Sequence, residues 1–167
     1  MVFNDVRRFG AIDLIRTDKL ENHKWLSKLG PEPLSNNFSS PTLKDKIQLK
    51  KCSIKVAILD QNIVAGIGNI YACEILYDAK ISPLRKGNSL KKYHIGTILK
   101  SSRRILRKAI KYGGSSINDY ISPDGTLGNF QKNFKVYGRA GYKIKGNEIK
   151  KVVLHGRSTF FCPNVQK

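Results

Sequence analysis

Two glycines precede a candidate helix start in the segment from residue 61 to 72, which reads QNIVAGIGNIYA. A glycine has no side chain to keep a phosphate group away from the backbone. The free N–H groups and the dipole at a helix amino terminus attract such an anion, and Asn69 stands at the predicted cap. Gly66, Gly68 and Asn69 are therefore candidate phosphate ligands, although a tight corner between two helices would use the same glycines.

The charge balance favours a polyanionic partner. The chain of 167 residues has 31 Lys and Arg against 12 Asp and Glu, a net charge of +19 and a pI near 10.0. No apolar run approaches the roughly 20 residues that span a bilayer, and the start MVFNDVRR lacks the apolar core of a signal peptide. We expect a cytoplasmic, nucleic-acid-binding protein without a membrane partner, although a ribosomal protein would have the same charge.

The three cysteines, Cys52, Cys73 and Cys162, lie far apart and form no C-x-x-C pair. Neither a disulfide framework nor a four-cysteine zinc site is written in this pattern. We expect reduced thiols.

The elements that must position these residues are mainly helical. Apolar residues recur at helical spacing from Ser89 to Tyr112, with Lys and Arg on the opposite face, and Gly113-Gly114 ends that helix. Further helices are predicted over residues 18–29, 40–50, 54–59 and 69–79. Residues 115–128 have the composition of a long loop.

Strands are predicted at both ends of the chain. The first 15 residues alternate weakly, which suggests one or two strands. In the tail, two alternating runs surround His155-Gly156-Arg157. They predict a β-hairpin with an arginine at its tip.

The stretch AGIGNIYACEIL, from residue 65 to 76, resembles the helix-two-turn-helix of the formamidopyrimidine and endonuclease-eight DNA glycosylases. Further motifs follow in that family's order, ISP, GGSS, VYGR and finally GRSTFFCP. The resemblance covers nearly the whole chain and corresponds to the carboxy-terminal part of the family. It implies a DNA-repair protein that binds double-stranded, damaged DNA.

The resemblance also implies roles for particular residues. Asn69 and Arg157 match the asparagine and finger arginine that pinch backbone phosphates beside the lesion, and Arg157 is a candidate for an assisting role in catalysis. A helix-terminal amide and a hairpin-tip guanidinium suit phosphate oxygens, although Arg157 could also be a solvated turn residue. Lys50 and Lys55 match backbone-contacting lysines, and solvation is nearly as good an interpretation of each.

The segment DVRRFG resembles the family's void-filling strand, in which Arg7 and Phe9 would enter the duplex. Their spacing of two places both on one strand face, which suits a cation for the orphaned base and an aromatic wedge. Core packing is the alternative for Phe9. Residues 122–130 resemble the lid that covers an everted oxidised purine, with a plain surface loop as the alternative.

Two departures from the family pattern concern chemistry. The family's nucleophile is an amino-terminal proline followed by a glutamate, with a lysine elsewhere in that domain, whereas this chain begins MVF. We expect the chain to lack the catalytic amino terminus and to have negligible glycosylase activity alone. The family's four-cysteine zinc site is eroded to Cys162, and adding His155 gives only two ligands, so no metal or other cofactor is predicted.

The predicted architecture is mainly α with a β-hairpin. Residues 1–16 would be remnant strands of the family's amino-terminal β-sandwich, residues 17–130 the helix-two-turn-helix domain, and residues 131–167 a zincless, degenerate finger. The predicted function is a DNA-binding fragment of a base-excision-repair glycosylase and AP lyase. The alternatives are half of a split active enzyme completed by a complementary amino-terminal chain, a non-repair nucleic-acid-binding module, or a decayed product without function.

Overall fold

The computed structural model describes Phe3, Asp5 and residues 9–115 and 128–167. Four α-helices come first, α1 (Ser40–Gln48), α2 (Ile54–Leu59), α3 (Asn69–Asp78) and α4 (Lys92–Lys111). Four short strands follow, β1 (Lys143–Ile144), β2 (Asn147–Glu148), β3 (Lys150–Leu154) and β4 (Arg157–Phe161). The predicted fold class, mainly helical with a β-hairpin, is confirmed.

One apolar cluster joins the four helices. Its fully buried members include Ile47 of α1, Ile58 of α2, Ile75 of α3 and Ile98 of α4. The apolar residues of α4 recur every three or four positions, so they form one stripe along that helix and pack inward. Burial of this stripe fixes the arrangement of α2 and α3, which carry the candidate phosphate ligands.

The helix α4 begins three residues later than its sequence predicts. Gly87–Ser89 form a short 3-10 helix, and Lys91 is the residue before α4. The His94 Nδ1 atom accepts a hydrogen bond of 2.9 Å from the Lys91 backbone N–H. This contact satisfies a backbone donor at the start of the helix.

The strands pair as two antiparallel hairpins, β1 with β2 and β3 with β4. In the turn between β3 and β4, φ is 46° at His155 and 70° at Gly156. Positive φ at both central residues is the pattern of a type I′ turn, whose twist suits a two-residue hairpin. The predicted hairpin is confirmed, and Arg157 directly follows its turn.

A second apolar cluster attaches this hairpin to α3. Its buried members are Cys73, Val136, Ile149 and Phe160. The rings of Tyr137 and Phe160 meet edge to face with centroids 5.0 Å apart. Because α3 contacts α4 on one side and the hairpin on the other, five consecutive residues of this helix, residues 72–76, are buried.

The region before α1 differs from the prediction. Two 3-10 helices, Thr17–Asn22 and Leu26–Lys28, replace the single helix expected over residues 18–29, and neither contains a buried residue. Short helices depend on tertiary packing for their stability, and here that packing is missing. Residues 9–16 form no strand, because no described strand lies beside them to pair with.

In the part of the chain that the structure describes, no helix is both long enough and apolar enough to cross a membrane.

Candidate nucleic-acid interface

A buried lysine connects α2, α3 and β4. The side chain of Lys55 is completely inaccessible to solvent. Its Nζ atom donates to Asn69 Oδ1 at 2.5 Å, to Thr159 Oγ1 at 2.7 Å and to the Ser158 carbonyl at 3.3 Å. We call Lys55, Asn69, Ser158 and Thr159 the Lys55 cluster.

Among the residues that the structure describes, the Lys55 ammonium has only uncharged oxygen partners. Burial lowers the pKa of Lys55, the nearby Cys73 thiol opposes that shift, and the positive charge of Arg157 adds to it. No carboxylate of the described residues forms an ion pair or a hydrogen bond with Lys55. A buried charge without a counter-ion is costly, so an anion that reaches this ammonium would be bound favourably.

Asn69 is the first residue of α3, and Gly68 takes the cap position that the sequence suggested for Asn69. The Asn69 amide is not free to cap the helix, because its Oδ1 atom accepts from Lys55 and its Nδ2 atom donates to the Ser158 carbonyl at 3.0 Å. No side chain of the described residues caps α3. The amino terminus of this helix therefore keeps N–H groups available to a ligand.

The two glycines before α3 have different reasons to be glycine. Gly66 has a φ of +81°, a conformation that other residues adopt at a cost. Gly68 has an ordinary φ of −95°. A β-carbon at either position would meet no atom of the described residues within 4 Å. The tight-corner interpretation thus explains Gly66, whereas no described contact requires a glycine at position 68.

Arg157 lies at the mouth of the Lys55 cluster. It is exposed, and it lines a cleft of about 310 Å³ between α2 and the β3–β4 turn. Lys55, Asp60 and His155 line the same cleft. The structure therefore brings together three of the predicted phosphate ligands, Lys55, Asn69 and Arg157, although they are far apart in sequence.

Lys50 does not join this group. Its Nζ atom forms an ion pair of 3.2 Å with Asp60, which lines the cleft. The ammonium of Lys50 already has an anionic partner, unlike that of Lys55. Its predicted contact with DNA stays a prediction.

The predicted wedge and lid lie partly outside the described residues. Arg7 is not among them, and Phe9 is 86% exposed, so their shared insertion into a duplex stays a prediction. Residues 122–127 of the predicted lid are likewise outside. Phe130, at the carboxyl end of the predicted lid, is buried and packs near Tyr71. Its backbone N–H donates to the Gly114 carbonyl at 2.9 Å.

The residues around Cys162 do not fit a zinc ion. The buried Cys162 donates its backbone N–H to Gln166 Oε1 at 2.8 Å, and Gln166 Nε2 donates to the Ile81 carbonyl at 2.9 Å. The β1–β2 hairpin, with its turn at Lys145-Gly146, contains no cysteine. Among the described residues, no three of the types His, Cys, Asp and Glu come close enough to share a metal, and zinc needs three or four such ligands.

Sequence reasoning missed Glu74, which connects α3 to the chain leading into the hairpins. Its carboxylate accepts three backbone hydrogen bonds of 2.9 Å, from the N–H groups of Lys135, Val136 and Tyr137. Glu74 is almost completely buried. An acidic residue inside the apolar stretch of α3 was the one available signal, since buried carboxylates need hydrogen-bond donors.

The chain resembles several known proteins. The family described as "Formamidopyrimidine-DNA glycosylase H2TH domain" matches residues 29–120, more than half of the chain. A formamidopyrimidine-DNA glycosylase of Roseobacter denitrificans is 45% identical over 171 residues, which is 100% of this chain and 60% of the relative. One from Zymomonas mobilis is 45% identical, covering 98% of this chain and 61% of the relative.

Solved structures agree with the sequence comparison. The MutM (Fpg) protein of Thermus thermophilus superposes with a TM-score of 0.89 at 38% identity, covering 97% of this chain and 62% of that one. The Lactococcus lactis Fpg in complex with abasic-site DNA has a TM-score of 0.88 at 42% identity, covering 98% of this chain and 60% of that one.

The chain spans about 60% of the length of the relatives it matches. Its fold agrees with that of the two solved relatives over nearly its whole length. The chain therefore belongs to the formamidopyrimidine-DNA glycosylase family defined by the helix-two-turn-helix domain.

Proposed function

We propose that this chain binds duplex DNA through backbone phosphates at the Lys55 cluster and Arg157, as the DNA-gripping part of a base-excision-repair glycosylase. The observation that carries the proposal is the buried Lys55 ammonium, which has three neutral oxygen partners and no carboxylate among the described residues. A phosphate at the mouth of the cleft would supply the missing negative charge.

The neighbouring groups suit the same ligand. The open amino terminus of α3 offers N–H groups to an anion. The exposed Arg157 guanidinium can donate two parallel hydrogen bonds to one phosphate. The space in front of Gly66 and Gly68 lets a phosphate approach the backbone.

Preference for damaged DNA is the finer part of the proposal. The Lactococcus lactis relative was solved with DNA that contains an abasic site, which supports a similar substrate here. In this proposal Arg7 and Phe9 fill the space left by an everted base, and Lys50 adds a further backbone contact. Residues 122–130 cover the everted base.

Cleavage of the glycosidic bond, in this proposal, requires the proline, glutamate and lysine of the family's amino-terminal portion. The residues described here position DNA and do not supply a nucleophile or a proton donor. The finger holds its shape without zinc, because Gln166 closes the turn after Cys162 and Glu74 anchors the hairpins to α3.

A labelled duplex with one oxidised guanine, beside its undamaged twin, tests the binding function. We expect the chain to bind, and Asn69→Ala to weaken binding by about 10- to 100-fold, as for a lost hydrogen bond to a charged group. Asn88→Ala is the matched control, because it removes an exposed amide outside the cluster. Equal affinity of the two variants would contradict the proposal.

A second candidate function is one half of a split glycosylase. It is favoured by apolar side chains exposed before α1, with Phe9 86% and Leu14 98% accessible, which a complementary amino-terminal chain could cover. We expect borohydride to trap a Schiff base on the oxidised duplex only when the amino-terminal portion of a relative is added. Trapping by this chain alone would show that it carries its own amine nucleophile, and no trapping with both would reject the split enzyme.

A further inference from the structure

The outward face of α4 carries a row of cations. Lys100, Arg104, Arg107 and Lys111 are all exposed, and they follow one another at steps of four, three and four residues. Such spacing keeps them on one side of a helix. The opposite side holds the buried stripe of Ile95, Ile98, Leu99 and Ala109. We call the four cations the α4 stripe.

The α4 stripe has few acidic neighbours in sequence. The sequence has no Asp or Glu between Asp78 and Asp119. Among the described carboxylates only Asp78 reaches the stripe, where it forms an ion pair with Arg104. Like charges three or four residues apart destabilise a helix by about 0.2–0.5 kcal/mol per pair. A bound polyanion would remove that repulsion.

The α4 stripe and the Lys55 cluster cannot hold the same phosphate. The buried Ala72, Ile75 and Leu76 of α3 join the cluster shared with α4, whereas Cys73 joins the cluster shared with the hairpins. The helix α3 thus lies between α4 and the hairpin that carries Arg157. Only the carboxyl end of α3 meets the stripe, through the ion pair of Asp78 with Arg104, whereas Asn69 of the Lys55 cluster is at the amino end of that helix.

The dimensions of the stripe match a nucleic-acid backbone. At 1.5 Å per residue, Lys100 and Lys111 are about 16 Å apart along α4. That length spans about five phosphates of one DNA strand along the duplex axis. Flexible, exposed lysines and arginines can follow such a row without reading bases.

We propose that the α4 stripe is a second DNA-backbone surface, which holds duplex outside the segment gripped at the Lys55 cluster. It acts on any sequence, damaged or undamaged, and it keeps the protein on long DNA. This inference rests on the proposed function only in taking duplex DNA as the polyanion.

A triple variant tests the stripe. Lys100→Gln, Arg107→Gln and Lys111→Gln remove three cations that have no ion pair among the described residues. Lys19→Gln, Lys24→Gln and Lys28→Gln lower the net charge equally at exposed positions in and between the two 3-10 helices before α1. Dissociation constants are measured against salt concentration for two undamaged duplexes, one just long enough to fill the Lys55 cleft and one several times longer.

We expect the stripe variant to lower the slope of log affinity against log salt by about 2–3 on the long duplex, as for three lost phosphate contacts. On the short duplex it should behave like the control variant. Equal slopes for stripe and control variants on the long duplex would overturn the inference.

Asn69→Ala separates this inference from the proposed function, because it should weaken binding of both duplexes. If Asn69→Ala leaves the affinity for both duplexes unchanged while the stripe variant lowers the salt slope, binding at the Lys55 cluster is rejected and the α4 stripe is supported. If Asn69→Ala weakens binding and the stripe variant leaves the slope unchanged, only the α4 stripe is rejected.

Discussion

The Lys55 cluster and the α4 stripe are both basic, but the protein holds their charges in different ways. At the cluster, one ammonium is removed from water and fixed by three oxygen atoms from two other elements. On α4, the cations are exposed, and Arg104 alone has an ion pair among the described residues. The first arrangement fixes the position and direction of one ammonium group, whereas the second supplies positive charge without a fixed orientation.

This difference matters for DNA binding. A buried, oriented charge interacts strongly with an anion and is screened little by salt, whereas exposed charges are screened within about 10 Å at 0.1 M salt. We therefore expect position on the duplex to be set at the Lys55 cluster. Retention on DNA at low salt should depend on the α4 stripe as well.

The largest expected effect comes from removing the buried charge. Lys55→Met should weaken binding to abasic-site DNA by about 10- to 100-fold, because a charge-assisted contact is worth about 1.5–3 kcal/mol. Lys46→Met is the control, since the Lys46 ammonium bonds the Asn62 carbonyl in an exposed position. Fluorescence anisotropy gives the affinities and circular dichroism confirms folding. If Lys55→Met and Lys46→Met bind DNA with equal affinity, the main DNA contact lies at another surface, such as the α4 stripe.

The next effect concerns the support beneath the cluster. Glu74→Gln replaces one acceptor oxygen with an NH₂ group, so at least one of the N–H groups of Lys135, Val136 and Tyr137 faces a donor. Leaving it unsatisfied should lower the free energy of unfolding by about 1–3 kcal/mol, measured by urea denaturation. Amide exchange should accelerate in β3 and β4 before it does in α4.

Glu148→Gln is the control for Glu74→Gln, because Glu148 is exposed on β2. If both variants unfold at the same urea concentration, the hairpin does not depend on Glu74.

Gly66→Ala and Gly68→Ala should have smaller effects, which differ between stability and DNA binding. Gly66→Ala should cost about 1 kcal/mol of stability, because φ at that position is +81°. Gly68→Ala should cost less, since φ is −95°. If phosphate approaches the backbone here, Gly68→Ala nevertheless weakens DNA binding. Thermal melts and anisotropy separate the two effects, and unchanged binding by Gly68→Ala would remove this glycine from the site.

The smallest expected effect concerns the pH at which Lys55 loses its proton. Burial lowers the pKa of Lys55 from the ordinary lysine value of 10.5, so Lys55 should lose its proton at lower pH than a free lysine does. The unfolded chain binds that proton more tightly, and the contribution of Lys55 to the free energy of unfolding therefore rises with pH between the lowered pKa and 10.5. Carbon-13 NMR of the Lys55 ε-methylene follows this titration. A midpoint at 10.5 would mean that the Lys55 site is open to water.

Local patterns predicted those parts of the fold that local chemistry determines. Helical spacing identified α4, and the His155-Gly156 turn identified the β3–β4 hairpin, since both signals depend on neighbouring residues. The two 3-10 helices before α1 were predicted poorly, as a single helix, because neither contains a buried residue. The predicted domain boundaries after residues 16 and 130 stay predictions.

The sequence predicted which residues belong to the candidate site, but not their burial or the hydrogen bonds that join them. Motif resemblance pointed to Lys55, Asn69 and Arg157, yet nothing in the sequence shows that Lys55 is fully buried or that it donates to residues about a hundred positions away. Long-range contacts of this kind follow from packing of α2, α3 and β4. The role of Glu74 was hidden for the same reason, since its three partners lie more than sixty residues away.

The most direct test of the central claim is an NMR titration with a short abasic-site duplex. Signals of the Asn69 side-chain amide, the Arg157 Nε–H and the Lys55 ε-methylene should shift first and most, because these groups line the proposed phosphate site. Large shifts confined to Lys100, Arg107 and Lys111, with Lys55, Asn69 and Arg157 unchanged, would contradict the account.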